Sequence, residues 1–134
     1  MAEPMQVEVV SPERVLYSGE ATMVVTRTLD GGEIAFQAGH VPFLGALDDN
    51  HTRVFLPSGE VHDIAVHGGF VEVGENKVSI LSDAAELSDE IDVDRAHRAK
   101  QRAEDRLRDE HDAEAIAALS RAHARLRATG NFSL

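Results

Sequence analysis

Cysteine is absent from this 134-residue sequence, and basic residues are scarce. Without cysteine the chain can form neither a disulfide nor a thiolate metal site. Its 13 basic and 24 acidic residues give a net charge of −11, which disfavours nucleic acid and anionic lipid as direct partners. No apolar run reaches about 18 residues, so no transmembrane helix is predicted. The first residues lack the basic and apolar regions of a signal peptide, which predicts cytoplasmic residence.

Glycine and proline are missing after Ser88 until Gly130, and this absence divides the sequence into two domains, 1–88 and 89–134. The first domain has short apolar and polar alternation broken by turn residues, which predicts strands. The second is dense in alanine, arginine and acidic residues, which predicts helices. The first domain carries four basic against 14 acidic side chains, and the second carries nine against 10. The first domain is therefore acidic. The C-terminal end of the second domain is basic.

The first domain shows nine or ten strand-like runs, with turn signals roughly every 8–12 residues, so a β-sandwich or flattened barrel is predicted. Glu20 to Leu29 is predicted as one strand. The predicted turns lie at Ser18-Gly19, Asp30–Gly32, Pro57–Gly59 and Gly74–Asn76. Neither register nor β-bulges follow from the pattern.

The second domain shows two amphipathic helices joined by the polar segment 109–112, which predicts an antiparallel helical hairpin. Asp112 is the predicted N-cap of the second helix, and Gly130-Asn131 its end. The apolar stripes are mostly alanine: Ala96, Ala99, Ala103 and Leu107 on the first helix, and Ala115, Ala118 or Leu119, Ala122 and Leu126 on the second. Because alanine buries little area, the hairpin is predicted to be marginally stable and movable.

Several segments, in their order and spacing, resemble the epsilon subunit of the F-type rotary ATP synthase. They include residues 10–21, the run Gly32-Glu33-Ile34-Ala35-Phe36-Gln37-Ala38-Gly39-His40-Val41-Pro42, residues 68–73 and 76–86, and Ile91-Asp92-Val93-Asp94-Arg95-Ala96. The last run matches that family's nucleotide motif, Ile/Leu-Asp-x-x-Arg-Ala. The sequence departs from the family pattern at Ala38, where proline is common, and at Asp48-Asp49-Asn50, where Pro-Gly often stands.

The resemblance implies a ten-stranded β-sandwich followed by the helical hairpin. It implies a non-catalytic subunit at the foot of the central stalk, with the gamma subunit and the ring of c subunits as partners. The hairpin would lie folded on the sandwich or extend toward the catalytic alpha and beta subunits, where it would restrain ATP hydrolysis. Catalysis would belong to the beta subunits. The complex would place the chain peripherally on the cytoplasmic face of the plasma membrane.

The nucleotide motif implies ATP as a regulatory ligand, held by Ile91, Asp92, Arg95 and Ala96. Arginine donates forked hydrogen bonds to phosphate, and aspartate accepts hydrogen bonds from ribose or adenine. Arg102 lies seven residues after Arg95, on nearly the same helical face, and Arg125 joins the predicted site from the second helix. Arg98 and Arg121 are further candidates for this cluster. The competing interpretation is a solvated helix face with i,i+4 ion pairs, Asp94 with Arg98 and Glu104 with Arg108.

By the same resemblance, Glu33 lies in the loop after Asp30–Gly32 and faces the c ring, while His40 lies near gamma. Arg121, Arg125 and Arg127 would meet an acidic segment of a catalytic subunit when the hairpin extends. The alternative interpretation makes them ordinary solvated side chains.

Two other functions stay open at this point. One is a stand-alone β-sandwich binding module whose helical tail dimerises. The other is an enzyme that uses His40 or His67 with a nearby carboxylate, although no nucleophile, cofactor loop or carboxylate pair accompanies them. His62 and His67 are predicted on opposite faces of a strand, and His97, His111 and His123 lack a helical i,i+4 partner, so no metal site is predicted.

Overall fold

In the computed structural model, which describes residues 3–131, ten strands form two sheets and two helices follow them. This architecture confirms the predicted β-sandwich with a C-terminal helical hairpin. The strands are β1 (Met5–Val10), β2 (Val15–Ala21), β3 (Met23–Thr28), β4 (Gly32–Phe36), β5 (Phe43–Ala46), β6 (Asn50–Phe55), β7 (Val61–His67), β8 (Phe70–Gly74), β9 (Lys77–Leu81) and β10 (Ala84–Leu87). A 3₁₀ turn (Ser88–Glu90) leads to α1 (Val93–Asp109) and α2 (Ala113–Ala128).

The two sheets have five strands each and enclose one apolar core. The first sheet runs β2-β1-β9-β8-β5, with β1 and β9 parallel; the second runs β10-β7-β6-β3-β4 and is antiparallel throughout. Alternate residues point inward, as a half-buried strand requires. The largest side chains of this core with no more than 1% exposure are Phe36, Ile64, Ile80, Val7, Val9, Val24, Val54, Val66, Val71 and Val78. None of the hairpin residues up to 131 belongs to this core cluster, so the described sandwich has a core of its own.

A buried polar network lies between β3 and β6. Thr26 and Thr52 each donate a hydrogen bond to the side-chain oxygen of Asn50, at 3.2 and 2.7 Å. The Asn50 amide donates to the carbonyl of Asp48 at 2.8 Å. All three side chains of the network are therefore hydrogen-bonded, which removes most of the cost of burying them.

The structure corrects the predicted first half of the sandwich. Ser18 and Gly19 do not form a turn; they lie within β2, paired with Glu8 and Val7 of β1. The predicted strand from Glu20 to Leu29 is divided between the end of β2 and β3, because Thr22 interrupts the ladder. A register shift between Val9 and Val10 marks an irregularity in β1. The turns at 30–32, 57–59 and 74–76 join consecutive strands, as predicted.

The helical hairpin lies folded on the outer face of the second sheet, where α2 packs against α1 and across β6 and β7. Asp92 and Asp112 cap the two helices, and Gly130, with φ of +76°, ends α2. The buried residues of the hairpin helices are Ala96, Ala103, Ala115, Ala122, Ala124, Leu126 and Ala128. The predicted alanine contact surface is therefore present, and Ala124 and Ala128 extend it. No described helix is long and apolar enough to cross a membrane.

Candidate functional site between the sandwich and the hairpin

A cavity of about 210 Å³ lies where α1 and α2 meet the last strand of the sandwich. It is lined by Glu86, Glu90, Asp92, Arg95, Ala96, Ala99, Arg102 and Arg125. Five of the six residues predicted for nucleotide binding therefore line one cavity. The folded hairpin brings Arg125 to the same cavity as Arg102, although the two residues lie 23 positions apart in the sequence.

The N-terminal half of α1 forms one wall of this cavity. The Asp92 side chain accepts a hydrogen bond from the backbone N–H of Arg95 at 3.0 Å, so it is the N-cap of the helix. Helical steps of three and four place Ala96 and Ala99 between the two arginines. Because alanine side chains are short, the wall between Arg95 and Arg102 is recessed.

On the sandwich side, Glu86 of β10 connects three elements. Its Oε1 atom accepts a hydrogen bond from Arg125 Nε of α2 at 2.6 Å and lies 3.1 Å from His67 Nε2 of β7. These contacts, first with His67 and then with Arg125, lower the pKa of Glu86 to about 2 although partial burial opposes the shift. The His67 side chain is 5% exposed, and its Nδ1 atom is buried without a hydrogen-bond partner. Glu86 is therefore an ionised contact between the sandwich and the hairpin.

A second ion pair fixes the connection between the two domains. Arg14, in the β1–β2 turn, forms a two-pronged pair with Glu90 of the 3₁₀ turn, one prong measuring 2.8 Å. Glu90 also accepts a hydrogen bond from the backbone N–H of Leu87 at 3.1 Å. The hydrogen bond from Arg14 is the main reason why the pKa of Glu90 lies below its usual range.

The charges around the cavity are unequally paired. Among the described residues, Arg125 pairs with Glu86, whereas Arg95 and Arg102 form no ion pair. Both are exposed, on the surface that α1 presents toward the cavity. The arrangement can therefore offer two solvated guanidinium groups to an anion, beside a third that already has a carboxylate partner.

Three predicted members of the arginine and nucleotide cluster lie elsewhere. Ile91 is 9% exposed and packs with Ala65 of β7 and Ala128 of α2, so it anchors the linker rather than lining the cavity. Arg121 pairs with Glu114 at 3.0 Å, and Arg98 does not line the cavity. The two predicted i,i+4 pairs are also absent from the described ion pairs; Arg108 instead pairs with Asp105 at 3.0 Å.

The residues predicted to contact partners do not form one cluster, although Glu33 and Arg127 line the same groove. Glu33 is not in a loop but is the second residue of β4, because the strand begins at Gly32; it lies 3.4 Å from Arg53. His40 is half-buried between β4 and β5, with its ring edge-on to Phe36 at 4.8 Å between centroids. Arg127 is exposed and lines a groove of about 370 Å³ with Glu33 and Arg53.

The sequence reasoning missed Glu86, His67, Glu90 and Arg14 as part of this site. His67 and Glu86 are 19 residues apart, Glu86 and Arg125 are 39 apart, and Arg14 and Glu90 are 76 apart. No local pattern joins residues at such separations. The local sequence carries one signal. Glu86 lies between the apolar residues Ala85 and Leu87, and this alternation indicates that its side chain faces outward from the strand.

A β-sandwich that carries a folded α-helical hairpin defines the structural class of this protein, and comparisons with known proteins define its family. The family model for the ATP synthase delta/epsilon chain β-sandwich domain matches residues 4–88, and the model for the long α-helix domain of the same chain matches residues 89–130. The chain belongs to the ATP synthase delta/epsilon chain family. The predicted resemblance to the epsilon subunit is confirmed.

Curated relatives cover nearly the whole chain. The ATP synthase epsilon chain of Streptomyces griseus is 44% identical over 128 residues, which span 96% of this chain and 97% of that one. The epsilon chain of Shouchella clausii is 43% identical over 124 residues, with 91% and 92% coverage. That of Nitratidesulfovibrio vulgaris is 39% identical over 135 residues, with 98% and 99% coverage. The protein is accordingly an epsilon-type accessory subunit of an F-type ATP synthase.

Solved structures share the fold. A chain of the Euglena gracilis mitochondrial ATP synthase superposes with a TM-score of 0.75 at 19% identity, covering 96% of this chain and 78% of that one. A chain from the central stalk and c ring of the Tetrahymena thermophila mitochondrial enzyme gives 0.62 at 18% identity, covering 96% and 98%.

Proposed function

We propose that this subunit couples rotation of the c ring and the gamma subunit to ATP synthesis, and that its hairpin restrains ATP hydrolysis. In this proposal the sandwich docks on gamma and the c ring, and the catalytic sites belong to the beta subunits. The complex holds the chain on the cytoplasmic face of the plasma membrane. Membership of the epsilon family and the central-stalk origin of the Tetrahymena neighbour support the proposal.

The observation that carries the regulatory part is the way in which the hairpin is docked. Alanine supplies most of its buried contact, whereas the sandwich has a separate core of larger side chains. Release of the hairpin therefore costs little apolar burial and leaves the sandwich folded. Extended along gamma, the helix would bring Arg121, Arg125 and Arg127 to acidic segments of the alpha and beta subunits.

A dimerisation tail is less well supported by the hairpin surface. A hairpin that dimerises needs an apolar stripe on its outer face, which packs against the partner hairpin. Among the described hairpin residues, Ile116 is the one large apolar side chain classed as exposed, at 43%. A single side chain does not make a stripe.

ATP is the proposed regulatory ligand of the cavity, with Arg95, Arg102 and Arg125 near its phosphates and Asp92 near its sugar or base. The cavity of about 210 Å³ is smaller than the roughly 300–1,000 Å³ of typical small-molecule pockets. The arginines of the lining therefore suit phosphate groups, and the rest of a nucleotide would extend beyond this cavity. Ile91 contributes by packing beneath the site rather than by contact.

The proposed partner contacts on the sandwich involve Glu33 and His40. The Glu33 side chain is 63% exposed even though it pairs with Arg53, so the polar loops of the c ring can reach it. His40 is the proposed neighbour of gamma.

Co-elution with gamma on gel filtration tests the docking of the chain on gamma. We expect a stable complex for the whole chain, and separate elution would contradict the docking role.

Calorimetric titration of the isolated chain with ATP tests the ligand. We expect saturable binding that Arg95→Ala abolishes, because it removes one of the two arginines without an ion pair. Arg98→Ala is the matched control, since Arg98 lies on the same helix outside the cavity and should leave binding unchanged. Absence of binding up to millimolar ATP, or binding that survives in Arg95→Ala, would contradict this site.

A further inference from the structure

The contact from Glu86 to Arg125 joins the sandwich to the helical hairpin without any ligand. Arg125 Nε donates to Glu86 at 2.6 Å, and the two side chains are 30% and 32% exposed. His67 lies on the other side of the same carboxylate oxygen, at 3.1 Å and with 5% of its side chain exposed. This one oxygen, on a residue of β10, therefore contacts side chains of both β7 and α2.

This carboxylate is distinctive among the contacts that hold the hairpin. Next to it the groove against β10 is lined by Glu13, Arg14 and Asp83. Arg14 is engaged with Glu90 of the linker, so it does not neutralise Glu86 by direct pairing. Ala128 of α2 and Ile91 also pack on Ala65, but Ala128 is small and Ile91 lies before α1, outside the two helices. Glu86 is therefore a sandwich carboxylate that forms an ion pair with α2 directly.

We propose that Glu86 acts as an internal counter-anion that holds Arg125, and with it α2, docked in the absence of nucleotide. The inference rests on the proposed function in one respect, namely that the hairpin can leave the sandwich. Two consequences follow. Docking of this hairpin does not depend on a bound anion, and an anion that enters the cavity meets an Arg125 that is already neutralised. Arg95 and Arg102 then provide the principal attraction for phosphate.

The buried Nδ1 atom of His67 is an unfavourable feature of the docked state. A buried polar atom without a partner is unfavourable compared with the same atom in water. Withdrawal of Arg125 and α2 from β7 would admit water to this histidine. The docked state therefore combines a favourable ion pair with an unfavourable buried nitrogen at the same place.

The absence of cysteine makes the docking equilibrium directly measurable. Cysteine substitutions at Ser58, exposed in the β6–β7 turn, and His111, exposed in the α1–α2 connection, would carry a pair of spin labels on the whole chain. Their distance distribution is then recorded without nucleotide. The parent is expected to show one narrow distance. Glu86→Gln, Arg125→Gln and the double variant are expected to lose most of that population, the double variant no more than the singles.

Glu60→Gln is the matched control. Glu60 lies 3.1 Å from His62, near the start of β7. This histidine–glutamate distance equals that between His67 and Glu86, but the pair does not involve the hairpin. It should leave the distance unchanged. Unchanged thermal unfolding of the sandwich in all variants establishes that the labels report docking and not loss of the fold.

Two outcomes would overturn the inference, and they differ in what else they affect. If Glu86→Gln keeps the narrow distance while Leu126→Ala, which removes apolar packing from α2, loses it, the hairpin is mobile but Glu86 does not hold it. If neither variant changes the distance, the hairpin does not leave the sandwich, and the proposed regulatory function fails as well.

Discussion

Leu126 is the one hairpin residue among the largest fully buried side chains of the described chain, with 0% exposure in an otherwise alanine-rich contact surface. Leu126→Ala removes its apolar burial and leaves a cavity, at a typical cost of roughly 2–5 kcal/mol. No described hairpin residue belongs to the sandwich core, so the loss should fall on the hairpin, through the packing of α2 against α1 and against the second sheet. Even about 2 kcal/mol lowers the ratio of closed to open hairpin roughly 30-fold.

Limited trypsin digestion measures this ratio, because residues 89–134 contain nine lysine and arginine residues, at which trypsin cuts. Cleavage of a transiently open segment follows the population of the open form when opening is fast. We expect Leu126→Ala to be cut much faster within the hairpin, while the sandwich fragment survives. Ile116→Ala is the control, since Ile116 lies on the same helix at 43% exposure. Equal hairpin cleavage in the two variants would refute the reasoning.

Three further predictions concern the sandwich and its contact with the hairpin. His67 first, and then Arg125, lower the pKa of Glu86 from 4.5 to about 2, and only the part due to Arg125 depends on docking of the hairpin; this part of the docking stability is complete above about pH 4.5 and falls as the pH drops toward 2, so spin-label distances at pH 7 and pH 3 should show a partial loss of docking in the parent that Glu86→Gln does not show. Gly69→Ala should destabilise the sandwich by roughly 3 kcal/mol in urea unfolding, because Gly69 has φ of +106° and an added Cβ would lie 2.1 Å from the Leu81 carbonyl, whereas Gly74→Ala, with open space, should be nearly neutral. Asn50→Ala should cost about 2 kcal/mol in the same assay, because Thr26 and Thr52 lose their shared acceptor; a stability equal to that of the parent would argue against the network.

Local chemistry explains which parts of the fold were predictable. Asp112 as a helix cap, Gly130 as a helix end and the turn at Pro57–Gly59 depend on a few neighbouring residues, and the structure has all three. Ser18-Gly19 was misleading because pairing with β1 continues through it: the ladder supplies more hydrogen bonds than a turn would. The strand β10 shows no clear alternation, because its four residues, Ala84–Leu87, are too few to define a period.

The part of the candidate site that lies on the hairpin was predictable, including Arg125 of the second helix, whereas the part on the sandwich was not. The positions of Arg95, Ala96 and Arg102 on one face of α1 follow from helical periodicity. The pairing of Arg125 with Glu86, and of Glu86 with His67, depends on where the hairpin lies on the second sheet. That placement is a tertiary property with no local sequence signal. Ile91 shows the reverse case, since its place in a motif predicted ligand contact and the structure gives it a packing role.

The regulatory role of the hairpin is tested most directly by the ATP hydrolysis rate of the assembled F-type enzyme. The rate is compared between complexes that carry the whole chain and complexes whose epsilon subunit ends at Ser88. The separate core of the sandwich predicts that the shortened subunit still assembles with gamma. We expect the hydrolysis rate to rise when the hairpin is removed and assembly is unchanged. An equal hydrolysis rate in the two complexes would contradict the account.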